Sequence, residues 1–480
     1  MNNIEKHPKS LRVFFASEMW ERYGFYVVQT LLTLYLALYY KWPDKEIYAL
    51  VGSFTALTYL SPVVGGWIAD KLIGQKKAIL LGALVLLVNY GFLSFLSGTV
   101  ALTAALSGIA VGTGLLKPNI SSLLGNEYPK SSTRRESGFT IFYMGITCGI
   151  ILGTLLPSPL SKYFGWSAAF FSAAIGMIIS FSVFAFGIKL YKVTDYNEHS
   201  LTVKNSLITL LLLTLLGALA FYILNSPQFA NLIFASVVLF SSIYIFYSVS
   251  QESANQARQT LVIGLLCIIS ILFWAFYFQM FMSWTLFISR MVKPSLWGIE
   301  FPPPYYITIQ SIGMLIIGYV LAKQHPQLTL MERALSTGRK FIYSMIFMSI
   351  AYGLLVLAST LNINTLLSPL LIIPAFLSIS AAELFLSPTG LAAITLLADK
   401  NKVSTMVGIF FVSLGIGGFL SGKLAAFTAI PEGVTRLEVM REFYIAGFSQ
   451  QLGILFLTTL GCFIIYAVIK FLLTRVKMIE

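Results

Sequence analysis

Long apolar runs recur along the whole chain, and they constrain its fold more than any other feature of the sequence. Each run has about 20 residues, the length that an α-helix needs to cross the hydrocarbon core of a bilayer. The runs lie near residues 11–40, 47–69, 78–97, 101–127, 138–160, 167–190, 206–224, 229–249, 260–290, 304–323, 340–360, 366–398, 403–428 and 446–474. A membrane β-barrel would instead show alternating segments of roughly ten residues. The sequence therefore predicts an all-α polytopic membrane protein with about fourteen transmembrane helices.

The distribution of charge supports this class and indicates an orientation. Only 11% of the 480 residues are charged, against about a quarter in soluble domains. The net charge of +13 is dispersed over the loops rather than gathered on a basic domain, so nucleic acid is not an expected partner. Every second loop is basic, as at residues 6–12 and 71–77. The positive-inside rule then predicts that both termini are cytoplasmic, if the seventh and eighth runs form a pair. The first run is too long and too charged for a cleavable signal peptide.

Three ionisable residues, Glu18, Glu21 and Arg22, lie inside the first apolar run. At a rise of about 1.5 Å per residue, Glu18 is roughly 10 Å and Arg22 roughly 17 Å from the start of the run. Each such group costs about 2.5 to 3.5 kcal/mol to insert unless it meets a polar cavity or a partner. Glu18 and Arg22 share a helix face at i,i+4 spacing, and one cation for two acids leaves a carboxylate that can take up a proton. The pattern predicts a proton site, with a structural charge cluster as the alternative.

Two further ionisable residues lie deep in other runs. Lys117 is roughly 17 Å from the cytoplasmic end of its run, and we expect it to have an acidic partner. Pro118, beside it, frees a backbone carbonyl that a polar cavity can satisfy. Glu383 lies near the middle of its run between Pro374 and Pro388. That helix is therefore expected to bend, which would suit a gate, and Glu383 is expected to act in function rather than in packing.

Four motifs, separate and in order, resemble those of the proton-coupled oligopeptide transporter family. They are Glu18-x-x-Glu21-Arg22-x-x-x-Tyr26, Lys117-Pro118-Asn119, Ser137-Gly138-Phe139-Thr140-x-Phe142-Tyr143 and Glu383-Leu384-Phe385-Leu386-Ser387-Pro388. The resemblance covers almost the whole chain. It implies a major facilitator fold with six-helix bundles at residues 1–190 and 260–480, and a linker at 191–259 that carries two extra transmembrane helices. It also implies proton-coupled uptake of di- and tripeptides by alternating access, in the plasma membrane of a bacterium.

The resemblance further implies which residues form the site. Glu18, Glu21 and Arg22 would couple the proton, and we take Glu21 as the main proton carrier. The carboxylate of a bound peptide would face Lys117 and Arg22, and the ammonium group of the same peptide would face Glu383 across a cavity. The full set of expected substrate-binding residues is Tyr26, Gln29, Tyr59, Lys117, Thr147, Trp274, Phe278, Gln310, Glu383, Ser387 and Phe410.

The sequence departs from the family at several of these positions. Gln29 and Phe278 stand where most members carry an arginine and a glutamate that pair. Replacing both members of a buried pair can be neutral, whereas removing one strands a charge. Thr147 and Gln310 stand at family asparagines, and Phe410 at a tryptophan. Transport of another small zwitterion or organic ion, such as a modified amino acid, and export therefore stay open as alternatives.

Other classes of protein are not indicated. The sequence has no HExxH, GxSxG or paired-cysteine pattern, so we do not expect an enzyme. A channel would need a ring of repeated filter residues, which is not found. The cysteines Cys148, Cys267 and Cys462 are isolated in apolar runs, so neither a metal nor another cofactor is expected. The expected partners are small peptides, protons and the lipid bilayer, with the chain acting as a monomer.

Overall fold

The computed structural model describes residues 6–129, 132, 134–196, 202–322, 330–361, 365–399 and 401–475. The predicted cytoplasmic placement of the two termini falls on residues outside these ranges. The α-helices in the described part are α1 (Leu11–Leu38), α2 (Asp44–Ile68), α3 (Gln75–Phe95), α4 (Thr99–Asn126), α5 (Arg135–Leu155), α6 (Pro157–Phe164), α7 (Trp166–Leu190), α8 (Val203–Asn225), α9 (Pro227–Gln251), α10 (Ala254–Tyr277), α11 (Ser283–Met291), α12 (Pro303–Ala322), α13 (Leu330–Thr360), α14 (Ile373–Leu397), α15 (Val403–Ala425) and α16 (Leu437–Thr474).

Shorter elements interrupt or join these helices. A π-helical turn, Ala69–Ile73, extends α2 up to Gly74, whose φ of 85° turns the chain into α3. A 3₁₀ turn, Phe278–Phe281, separates α10 from α11, so the predicted run at 260–290 is one span with a break in it. Two further 3₁₀ turns lie at Pro369–Leu371 and Ala426–Thr428. The strands β1 (Ser295–Leu296) and β2 (Ile299–Glu300) form a small antiparallel hairpin in which Ser295 pairs with Glu300 and Leu296 with Ile299.

The predicted class of an all-α polytopic membrane protein is confirmed. In the described part of the chain, thirteen helical segments are long and apolar enough to cross a membrane. The helix α1, with 28 residues, is also long enough to cross a membrane, but Glu18, Glu21 and Arg22 make it less apolar than these thirteen segments. All three charged side chains are buried, so they face the interior of the protein and not lipid.

The chain divides into two compact units. The first unit contains Met1–Tyr35 and Leu57–Pro227, and the second contains Leu36–Ala56 and Gln228–Glu480. The two extra helices therefore belong to different units, α8 to the first and α9 to the second. In the first unit, Asn225 at the end of α8 donates to Thr103 Oγ1 of α4 at 3.1 Å. In the second unit, Phe234 of α9 packs on Phe419 of α15 with ring centroids 4.3 Å apart.

Close backbone contact between helices holds the first unit together. A Cβ atom built on Gly65 of α2 would lie 2.0 Å from the carbonyl oxygen of Gly114 in α4. One on Gly149 of α5 would lie 2.3 Å from the carbonyl oxygen of Met19 in α1. Only residues without a side chain allow such an approach between membrane helices. The prediction that glycine at this end of α2 permits close helix approach is confirmed at Gly65.

Substitution of Gly65 by alanine is expected to destabilise the protein by about 1 to 3 kcal/mol, because an added methyl group must displace the Gly114 backbone. Gly66→Ala is the matched control, since a Cβ there lies 3.9 Å from Pro118, an ordinary contact. The measurement is thermal unfolding of the detergent-purified protein, followed by intrinsic fluorescence. Equal melting temperatures for Gly65→Ala and the wild type would contradict the close approach of α2 and α4.

Candidate functional site

The first unit contains a buried charge cluster on α1, formed by Glu18, Glu21 and Arg22. The guanidinium of Arg22 donates to both oxygens of Glu21, through Nε to Oε2 and through Nη2 to Oε1 at 2.6 Å. Its Nε also lies 3.3 Å from Glu18 Oε1, one helical turn away. Glu18, Glu21 and Arg22 are only 2%, 0% and 4% exposed. The structure therefore brings the three predicted coupling residues together and seals them from solvent.

The two carboxylates of this α1 cluster are not equivalent. Both oxygens of Glu21 accept hydrogen bonds from Arg22. Glu18 faces Arg22 with Oε1 only, and its Oε2 is buried with no hydrogen-bond partner in the described part of the chain. A buried acceptor without a partner carries a desolvation cost of about 1 to 3 kcal/mol, and more when it is charged. A proton on Glu18 would lower that cost, because a neutral carboxyl is cheaper to bury than a carboxylate. It would break no hydrogen bond, whereas a proton on Glu21 would disturb its two hydrogen bonds from Arg22.

Lys117 of α4 completes the charge balance near the α1 cluster. It lies within electrostatic range of Arg22, Glu21 and Glu18. Its Nζ sits 4.4 Å from the ring centroid of Tyr59, a cation–π contact. Among the described residues, no carboxylate lies within ion-pair distance of Lys117, so the acidic partners expected for it, Glu18 and Glu21, act on it at longer range. The reason is that the two nearby carboxylates are already turned toward Arg22.

The other predicted residues of the first unit include three on α1 and α5. Tyr26 follows Arg22 by one turn of α1 and is half-buried, and Gln29 is 3% exposed. Thr147 on α5 is half-buried and donates its hydroxyl to the carbonyl oxygen of Tyr143 in its own helix at 3.1 Å. The hydroxyl of Thr147 is therefore engaged within its own helix.

The second unit contains a separate acidic site at Glu383 on α14. Its Oε2 accepts from the hydroxyl of Tyr277 at the end of α10, at 2.8 Å, and from Nε2 of Gln310 on α12, at 2.7 Å. Glu383 is half-buried, and no cation of the described residues lies within ion-pair distance of it. Uncharged donors thus orient one oxygen and leave the negative charge available to a proton or an ammonium group.

Aromatic side chains occupy the end of α10 beside this site. Trp274 stacks on Phe278 with centroids 5.4 Å apart and meets Tyr277 edge-on at 4.8 Å. Phe278 is only 2% exposed, so the residue that replaces the family glutamate is absorbed into an aromatic cluster. Phe410 on α15 packs against Gly390, where a Cβ would lie 2.7 Å from its ring.

The last predicted residue of the second unit is Ser387. It is half-buried, one helical turn beyond Glu383 on α14. The predicted residues Trp274, Phe278, Gln310, Glu383, Ser387 and Phe410 all belong to the second unit, and those predicted on α1, α2, α4 and α5 belong to the first.

Sequence reasoning missed a second buried ion pair. Asp44 at the start of α2 accepts from Arg290 of α11 with both oxygens, at 2.7 and 2.8 Å. The backbone N–H of Ile430 donates to Asp44 Oδ2 at 3.0 Å, and Arg290 also donates to the hydroxyl of Tyr444 at 3.1 Å. The side chain of Asp44 is 5% exposed and that of Arg290 is 27% exposed. The available signal was weak, because Asp44 lies just before an apolar run and Arg290 is the last residue of another.

Two tyrosines were also missed. The hydroxyl of Tyr277 donates to Glu383, and no motif in the sequence indicates this contact. Tyr90 on α3 is fully buried and within electrostatic range of Glu21 and Arg22. Its hydroxyl has no hydrogen-bond partner in the described part of the chain.

Ionisable clusters buried among membrane helices indicate a pathway for ions or substrate, as in a transporter, rather than a purely structural membrane protein. The POT family model matches residues 76–440 of the chain. The chain belongs to the POT family.

Individual relatives agree with this assignment. The dipeptide and tripeptide permease A of Klebsiella pneumoniae is 31% identical over 447 residues, which cover 92% of this chain and 88% of the relative. A structure described as giving insights into substrate recognition in proton dependent oligopeptide transporters superposes with a TM-score of 0.84 at 25% identity, covering 96% of this chain and 99% of the other. A tetrameric crystal form of PepTSo2 gives the same TM-score, identity and coverage. The predicted major facilitator fold and family resemblance are therefore confirmed.

Proposed function

We propose that the protein is a proton-coupled symporter that takes up di- and tripeptides by alternating access. The observation that carries the proposal is the buried α1 cluster, in which one carboxylate is saturated by Arg22 and the other retains an unpartnered oxygen. The names of the relatives, dipeptide and tripeptide permease, support peptides over the alternative of another zwitterion or organic ion. The same names support a bacterial inner membrane, with both termini cytoplasmic by the positive-inside argument.

Glu18, rather than Glu21, is the carboxylate that takes up the proton in this conformation. The α1 cluster and Lys117 together carry two formal negative and two formal positive charges. A proton on Glu18 leaves this group with a net positive charge, which the carboxylate of a bound peptide offsets. Proton and peptide therefore favour each other's binding, which is the requirement for coupling. Arg22 and Lys117 supply the cationic contacts for the peptide carboxylate.

Glu383 supplies the contact for the ammonium group of the peptide. Tyr277 and Gln310 donate to its Oε2, while its Oε1 makes no hydrogen bond to the described residues. This free oxygen is suited to a charge-assisted hydrogen bond from a primary amine. Short peptides carry both of the groups that the two sites recognise, whereas an organic ion of one sign would satisfy only one. We take the single chain as the transport unit.

Substitution of Glu383 by glutamine is expected to lower kcat/KM for peptides with a free amino terminus about 10- to 100-fold. The reason is that a hydrogen bond to a charged group contributes roughly 1.5 to 3 kcal/mol. The measurement is concentration-dependent uptake by proteoliposomes. N-acetylated peptides serve as a control, because the loss should be much smaller for them. An equal loss for both kinds of peptide would show that Glu383 does not bind the ammonium group.

The test of the function itself is uptake of labelled di- and tripeptides into proteoliposomes with an imposed inward proton gradient, with and without a protonophore. Accumulation that the protonophore abolishes is expected. Correctly inserted protein that accumulates no peptide would overturn the proposal, and the other small zwitterions would then be screened in both directions of the gradient.

A further inference from the structure

A narrow apolar groove lies on the surface of the second unit, away from Glu383. Its volume is about 380 Å³. It runs between four helices and is lined by Phe246 of α9, Leu261 and Gly264 of α10, Val412 of α15, and Val468 and Leu472 of α16, among others. Phe246 and Val468 are 67% and 43% exposed, so the groove is open to the surroundings of the protein. Because these helices cross the membrane, the surroundings are lipid.

Two arginines lie at one end of this groove. Arg258 precedes the lining residue Leu261 by three positions on α10, and Arg475 follows the lining residue Leu472 by three positions at the end of α16. Residues with this spacing on a helix share a face. Arg258 Nη1 donates to the carbonyl oxygen of Arg475 at 2.6 Å, which shows that both residues meet at the same end. The end is also the one at which the apolar spans α10 and α16 reach the membrane surface.

Neither arginine is neutralised by an acid. The guanidinium of Arg258 is held by a backbone carbonyl, and that of Arg475 lies 4.1 Å from the ring centroid of Phe471. In the described ranges, neither forms an ion pair with a carboxylate. Glu252, which precedes α10, is engaged by Lys402 at 2.8 Å and by the hydroxyl of Thr260. Two cations with unsatisfied donors therefore stand where lipid headgroups lie.

We propose that this groove binds one acyl chain of an anionic phospholipid, whose phosphate is held by Arg258 and Arg475. The tail lies in an apolar medium whether or not it is bound, so burial of the tail does not distinguish one lipid from another. The headgroup distinguishes anionic lipids from others, because guanidinium groups bind phosphate oxygens through charge-assisted hydrogen bonds. Basic pockets between membrane helices bind anionic headgroups by the same chemistry. The groove fixes the position of the lipid, and the arginines select its charge.

Native mass spectrometry of the full chain in mild detergent tests the proposal. The protein is titrated with phosphatidylglycerol and with phosphatidylcholine of identical acyl chains. Tight binding of one phosphatidylglycerol is expected, with weaker binding of phosphatidylcholine. Each arginine is expected to contribute about fivefold. The double variant Arg258→Gln, Arg475→Gln should therefore lose roughly 10- to 30-fold in affinity for phosphatidylglycerol and little for phosphatidylcholine.

A second variant tests the groove itself. Gly264→Leu places a side chain in the groove, and its Cβ lies 3.5 Å from Ile245, an ordinary contact. This variant should weaken the binding of both lipids, whereas glycerol phosphate, which has no tail, should not displace phosphatidylglycerol. The matched control is Lys162→Gln, Lys189→Gln, which removes two charges from exposed sites of the first unit.

Three results would overturn the proposal. They are equal affinity for the two lipids, wild-type binding by the double arginine variant, and displacement of the lipid by glycerol phosphate. Both arginines are at least partly exposed, so the double variant is expected to fold even if Gly264→Leu does not. The melting temperature of each variant checks this.

Discussion

The variant Glu18→Gln is expected to lose proton-driven accumulation of peptide and to keep peptide exchange. Glutamine resembles a protonated Glu18, so the peptide site stays in its binding state while no proton is released. A gradient of one pH unit supplies about 1.4 kcal/mol per proton and supports about tenfold accumulation. In Glu18→Gln the accumulation ratio should fall to about one. Uptake under a proton gradient and counterflow without a gradient measure the two properties in the same vesicles.

The neighbouring variant Glu21→Gln is the control and should behave differently. It removes the carboxylate that accepts from both Nε and Nη2 of Arg22. Breaking a buried pair in this way costs about 3 to 5 kcal/mol, so both accumulation and exchange should fall, together with the melting temperature. If instead Glu18→Gln accumulates peptide normally and Glu21→Gln keeps only exchange, Glu21 is the proton carrier, as the sequence analysis predicts.

The second large effect is expected at the pair formed by Asp44 and Arg290. Arg290→Gln should destabilise the observed conformation by about 3 kcal/mol, because it leaves the buried carboxylate of Asp44 without its partner. Asp44→Asn should destabilise it less, because the side chain of Arg290 is 27% exposed and stays partly hydrated. The double variant should lower the free energy of unfolding by less than the sum of the two single variants. The difference measures the coupling between the two residues. Thermal unfolding of the four proteins provides this double-mutant cycle.

Spin labels at positions 45 and 293, both exposed and both in the second unit, report the same contact directly. The wild type should give one narrow distance distribution. Either single variant should broaden it, and the charge-swapped variant Asp44→Arg, Arg290→Asp should narrow it again. A distribution that is identical in all four proteins would show that this pair does not hold α2 to α11.

The sequence predicts what depends on local spacing. Arg22 lies beside Glu18 and Glu21 because all three lie within two turns of one helix, and their burial follows from the apolar run around them. The fold class follows in the same way from the length and number of the runs. These features need no knowledge of which helices are neighbours.

Contacts between distant parts of the chain could not be predicted in this way. Asp44 and Arg290 are 246 positions apart, and Tyr277 and Glu383 are 106 apart. No spacing rule joins them, since their contact depends on how the helices pack. Lys117 shows the same limit: its depth follows from the sequence, whereas its direct contact with the ring of Tyr59 depends on how α2 and α4 pack. The cost of burying a charge shows that a residue such as Lys117 must have a favourable contact, but it does not show which residue provides that contact.

The isolation of Glu383 from any described cation has a consequence for the membrane potential. With Glu383 ionised, the empty sites of the two units carry one net negative charge, because the α1 cluster and Lys117 are balanced. A proton and a zwitterionic peptide cancel that charge. The loaded protein is then electrically neutral at these sites, so the empty protein is the form that responds to voltage. Moving its one net charge across the membrane changes the free energy by about 2.3 kcal/mol for each 100 mV. A potential that is negative inside the cell therefore acts on the return of the empty transporter rather than on the entry of the peptide.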